Sequence, residues 1–331
     1  MRTLLLLGML LLPSLLPAQR LLIANQVDHT LVIVDAATGK TLATVGVDIN
    51  GHEVAASPDG RLAYVPIYGN SGVGRPGTDG STVQVIDIVS GRAIHIIDLG
   101  KPVRPHCAKF APDGLLYVSA ELASAVDVID PKAGRVVAEI PTGAKDSHML
   151  AISPDGSRAY TSNVYAGSVS VLDLRRRTLV AMIPVAKHLQ RISISPDGSK
   201  VYTHDQEKPR IAVIDAATNS VGQWWELPAV VYSSAPTADG RWLIANALSG
   251  KLFVIDAASG RVEHSFALPP STGAVVISPD GLRAYVSCPQ SGTVQVLNLK
   301  EWKLETPMEF TRGADGMAFA PIALAVTSGS R

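Results

Sequence analysis

The sequence predicts an all-β fold, a seven-bladed β-propeller of four-stranded antiparallel blades, on three observations. A segment of about forty residues recurs seven times in the 331-residue chain. Two markers recur with it, the first in six copies and the second in all seven. One is a Pro-Asp-Gly or Ala-Asp-Gly turn, at Asp59, Asp113, Asp155, Asp197, Asp239 and Asp280; the other ends a Val-x-Val-Ile-Asp strand, at Asp35, Asp87, Asp130, Asp173, Asp215, Asp256 and Asn298. The first repeat also lacks its opening strand, and a matching segment stands at the far end of the chain. A fixed period in this range, built from short alternating strands and Gly-rich turns, marks a propeller rather than a helical solenoid.

The elements follow in order. The first blade opens with strand b at 20–24, then c at 30–35 and d at 41–45, with no inner strand a before them. Residues 316–321 supply that strand and close the ring, which removes exposed sheet edges. The fourth blade shows a whole repeat: a at 149–153, b at 158–163, c at 168–173 and d at 178–183. Both faces of these strands are largely apolar, because each blade lies between two neighbours. The Pro-Asp-Gly turns join a to b; Pro presets one dihedral and Gly accepts positive φ.

Residues 1–18 read as a secretory signal, with Arg2 as the charged start, an apolar run over 4–16 and a small-residue cleavage site at Leu16-Pro17-Ala18. The propeller then occupies 19–331, exported to periplasm or medium, and the apolar run is short for a membrane span. Loss of Arg2 leaves one net negative charge. Such a balance gives no general attraction for nucleic acid or an anionic membrane. Cys107 and Cys288 fall in different blades and read as two buried free thiols.

In an antiparallel meander the a–b and c–d turns share one face, here called lower, and the b–c and d–a loops share the other, called upper. The lower turns repeat almost unchanged and carry no predicted chemistry. The upper loops differ from blade to blade. Residues 68–80 of the second blade form a Gly-rich insertion, read either as a lid over the channel or as a tolerated surface excursion.

His52, His106 and His148 share one repeat position, at the entrance to three successive inner strands; the other blades place Gln190, Tyr232, Gly273 and Asp315 there. Three imidazoles around a channel mouth, with Glu53, Arg191 and Asp315 nearby, could hold a transition metal such as zinc, copper or iron. They could equally hydrogen-bond the neighbouring blade as part of the repeat. Tyr64, Tyr117, Tyr160, Tyr202 and Tyr285 share a strand-b position and read as core, whereas Tyr68, Tyr165 and Tyr232 map to the upper face. Lys101, Arg104 and Arg191 add cationic groups there, suited to a small anion or an acidic peptide. Of Trp224 and Trp225, adjacent in an outer strand, at least one should pack between blades. No Gly-x-Ser-x-Gly, His-Glu-x-x-His or paired-carboxylate motif stands at a useful position.

The repeat resembles that of the YVTN family of seven-bladed propellers, most plainly in Ala159-Tyr160-Thr161-Ser162-Asn163 and Thr82-Val83-Gln84-Val85-Ile86-Asp87. The resemblance covers essentially the whole mature chain and implies the propeller fold. Its members include secreted binding proteins, periplasmic propellers that handle metals, and relatives of haem-d1 domains and lactonases. The chain lacks Cys-x-x-Cys-His, which argues against haem. The sequence thus reads as an exported, non-catalytic binding propeller engaging a small ligand, metal ion or protein partner at its upper mouth. The candidate contacts are Tyr68, Lys101, Arg104, Tyr165, Gln190, Arg191, Tyr232 and Asp315, with His52, His106 and His148 for a metal. Its rivals are a metal-assisted hydrolase or lyase using the same histidines, and an interaction scaffold in which the histidines are structural.

Overall fold

Seven antiparallel sheets, each built from one repeat, follow one another around a ring in the computed structural model. The structure describes residues 19–321; the predicted signal segment and residues 322–331 lie outside the described residues. Six of the blades are four-stranded meanders. The seventh (Val275–Ile277, Arg283–Cys288, Thr293–Asn298) splits its outer strand into Lys303–Leu304 and Met308–Glu309, both paired to Thr293–Asn298. The ring closes as the sequence predicts: Ala314–Ala320 pairs antiparallel with Arg20–Asn25, with Arg20 opposite Ala320 and Ile23 opposite Met317. Among the described residues there is no helix.

The repeated aspartates have a local physical cause. Asp87, Asp130, Asp215 and Asp256 each end strand c and accept backbone N–H bonds from the residues two and three further on, closing the c–d turn. Asn298 does the same through its side-chain oxygen. In the a–b turns the preceding hydroxyl donates to the Asp carboxylate, as Ser153 does to Asp155 at 2.6 Å and Ser195 to Asp197 at 2.5 Å. Those bonds favour the charged form and hold both carboxyls down at about 2. The third blade has Ala111 in place of that serine, and Asp113 accepts from the Tyr117 hydroxyl at 2.8 Å instead.

Burial between blades supplies the core. The five repeat tyrosines are all buried, and each lies between its own blade and the next. Tyr64 of the second blade meets Phe110 of the third edge-to-face at 5.2 Å. Each such ring contributes about 1.5–3 kcal/mol through area removed from water. Trp225 is buried against Tyr202 at 5.6 Å, while Trp224 carries the Arg210 guanidinium 3.8 Å above its ring. Cys107 and Cys288 are both buried and unpaired.

Candidate functional site

The inner strands begin at the upper face, and most of them begin irregularly. Their pairing with strand b slips between Pro105 and Ala108, Ser147 and Met149, Leu189 and Ile192, and Val231 and Ser233. A bulge leaves one residue out of the ladder and re-aims its side chain. His106, His148, Gln190 and Tyr232 fall within these slips, so the equivalent repeat positions meet around the channel axis.

On one side of the mouth the three histidines come together. His52 Nε2 lies 2.7 Å from His106 Nε2, and the His106 and His148 rings stack at 3.6 Å. The Asn50 amide donates to Gly69 O, so its oxygen faces His52 Nδ1 at 3.0 Å and that nitrogen must donate. His52 Nε2 then accepts from His106, which leaves His106 Nδ1 as a buried nitrogen without a partner. Desolvation lowers the pKa of His52 and takes His106 well below the usual imidazole range, with the neighbouring imidazoles adding to the effect on His106. Behind them sits Glu121, fully buried, accepting from His148 Nδ1 and, at 2.6 Å, from the Tyr68 hydroxyl. Tyr68 also packs edge-to-face on His52 and His106, at 5.4 and 5.3 Å. Among the described residues no group of three or more His, Cys, Asp or Glu side chains is arranged to hold a metal ion.

On the other side, Arg191 is the organising charge. Its Nη2 stands 2.8 Å from Glu53 Oε1 and 3.4 Å from Asp315 Oδ1, and its guanidinium lies over the Tyr232 ring at 5.4 Å. Burial raises the Asp315 carboxyl, with Arg191 opposing the shift. Two carboxyl groups thus share one guanidinium on this side. Gln190 Oε1 is buried without a partner. Thus His52, Gln190, Tyr232 and Asp315, which share one repeat position, come together on the axis, with Arg191 next to Gln190 in sequence.

The remaining candidates have other partners. Arg104 is buried and donates to Asp79 Oδ1 at 2.8 Å, Gly72 O at 2.9 Å and Arg75 O at 3.3 Å. It pins the insertion, which extends the hairpin Leu62–Gly69 and Asp79–Asp87. The tip reaches the fourth blade: a Cβ on Gly74, where φ is +66°, would stand 2.7 Å from the Tyr165 ring. Only glycine fits that contact. Residues 68–80 therefore reach from the second blade to the fourth as a cover in contact with both. Lys101 points outward to Glu139 at 2.9 Å, and Tyr165 is half exposed beside His188.

Two participants were not among the candidate contacts. Glu121 is a lone acid directly after a buried strand, and that isolation was its only signal. His204, fully buried, places Nε2 2.8 Å from Ser234 Oγ, which in turn lies 3.0 Å from Ser193 Oγ. Desolvation takes the His204 pKa down to about 3.

No family model matches the chain, and no curated protein matches it. Solved structures do. Hydrazine synthase of Kuenenia stuttgartiensis is similar at 21% identity with a TM-score of 0.72, over 88% of this chain and 99% of that one. A functionally unknown protein from Desulfotomaculum acetoxidans DSM 771 is similar at 13% identity with a TM-score of 0.76, over 92% and 100%. At these identities the likeness shows the fold: a seven-bladed β-propeller.

Proposed function

We propose that this protein is an exported, non-catalytic binding propeller of the YVTN-repeat kind, which takes a small cationic ligand at the upper mouth of its channel. The observation that carries the reading is the charge balance around Arg191. Glu53 and Asp315 share that single guanidinium, and the partnerless Gln190 oxygen calls for a donor. The Tyr232 ring already carries the Arg191 guanidinium at 5.4 Å. A primary ammonium group satisfies the shared carboxyl pair and the Gln190 oxygen.

A metal ion held by His52, His106 and His148 is the other occupant this mouth would suit. Two imidazole nitrogens on one tetrahedral ion stand about 3.3 Å apart, given bonds of about 2.0–2.1 Å. The present 2.7 Å separation would have to widen. Calorimetric titration with methylammonium and putrescine, beside Zn2+ and Cu2+, tests the reading. Saturable amine binding that weakens about tenfold in Asp315→Asn supports it. No amine binding, or equal binding by the variant, overturns it. Stoichiometric metal in protein from a metal-replete host would move the site to the histidines, and turnover of an ester or lactone panel would overturn the non-catalytic reading.

A further inference from the structure

Beneath the Arg191–Glu53 pair the channel continues as a cavity of about 300 Å3, towards the face that the turn sequences left without chemistry. Much of its wall is apolar, with Phe110, Met149, Ile152, Ile192, Ile194 and Met317 in it. Burial shows where it opens. Arg191 and Glu53 at the inner end are 6% exposed, whereas Phe110, Ile152, Ile194 and Pro236 are half-buried and Lys109 is exposed. The mouth therefore lies on the Pro-Asp-Gly turn face.

Four polar residues interrupt the apolar wall besides the pair: Lys109, Ser193, Ser233 and Ser234. Among the described residues Lys109 makes no ion pair, unlike Arg191 above it. The cavity thus has an uncompensated cation at its outer end and an already paired one at its inner end. An anion is attracted to the mouth and finds no free cation in the depth, so it enters tail first. A dianion would meet only one cation. Ser234 is bonded to His204, whose Nδ1 has no partner to orient it, which places Ser234 as a hydrogen-bonding group rather than a nucleophile.

We propose that this lower cavity is a second binding site, for a small monocarboxylate with an apolar body. The carboxylate sits at Lys109 and Ser193, and the body is buried against Ile192 and Met317 beneath the Arg191–Glu53 pair. A volume of about 300 Å3 is at the small end of ligand pockets, which restricts the body to a short chain or a single ring.

Calorimetric titration of the full protein with hexanoate and benzoate, each against its primary amide, reads this out. The expected result is one-site binding of a carboxylate, about tenfold or more tighter than its amide. Lys109→Met should lose about tenfold and Lys109→Arg should retain most of the affinity. Lys132→Met, which removes another exposed cation from the same face, should change nothing. Absence of saturable binding up to about 10 mM, equal binding of acid and amide, or full affinity in Lys109→Met would each overturn the proposal. Lys109 is exposed, so these variants leave the fold intact and every outcome is decisive.

Discussion

Replacing Arg191 by methionine should be among the most damaging single changes in this molecule, and its damage should depend on pH. The guanidinium stands 2.8 Å from Glu53 and 3.4 Å from Asp315, and the three side chains are 8%, 8% and 13% exposed. Methionine keeps most of the volume but leaves two carboxylates sharing one buried space. Breaking a buried ion pair by removing one partner costs about 3–5 kcal/mol. With a urea slope of about 3 kcal/mol/M, the unfolding midpoint should fall by about 1–1.7 M. The sign of the pH dependence follows from linkage. Burial already raises Asp315 against the opposing Arg191, so without Arg191 its carboxyl rises further and the folded state holds a proton that the unfolded state releases. Stability is then lost as pH rises, at about 1.4 kcal/mol per unit for that group. Urea denaturation at pH 5 and pH 8 should show the larger deficit at pH 8, and Asp315→Asn in the same chain should restore part of it. A deficit below about 1 kcal/mol, or one equal at both pH values, would refute the account of Arg191 as the charge that holds the mouth together.

Other consequences are open to the same kind of measurement. His52, His106 and His204 are held below the usual imidazole pKa by burial, His204 at about 3, so their contribution is complete above about pH 6.5 and is lost as pH falls. Asp127, raised to about 6 by burial and by Glu139, acts in the opposite direction. Replacing His204 by glutamine should flatten the acid limb of stability by about 1.4 kcal/mol per unit between about pH 5.5 and 4, measured as urea midpoints. Tyr68→Phe removes a buried donor from the Glu121 carboxylate and should cost about 1.5–3 kcal/mol in the same assay; a loss under about 0.5 would count against the Glu121 network. Arg104→Met removes the bonds to Asp79, Gly72 and Arg75. Hydrogen exchange should then quicken across 70–80 while the inner strands keep their protection, and unchanged exchange would show that Tyr165 alone holds the cover.

The sequence by itself determined the ring. Its period, its turn aspartates and its missing first strand are local signals, because each marks a hydrogen-bonding duty that Asp, Ser or Gly performs within a few residues. Ring closure then follows from counting strands. It also placed His52, His106, His148, Gln190, Tyr232 and Asp315 around one axis, since equivalent positions in a closed repeat must converge. What only the tertiary structure decided was which of these groups neutralise one another. Glu121 reaches His148 and Tyr68 across blade boundaries, and Arg191 reaches Glu53 across the channel. Arg104 turns from a rim cation into the anchor of the cover. The lower cavity was likewise invisible, because the turns around its mouth are the most repetitive part of the chain. Its character comes from inward side chains such as Lys109 and Ser193, which a linear reading takes as ordinary strand residues. Hydrogen-bonding duties inside a repeat are written in short spacings, whereas charge pairing across a ring depends on distances that no spacing encodes.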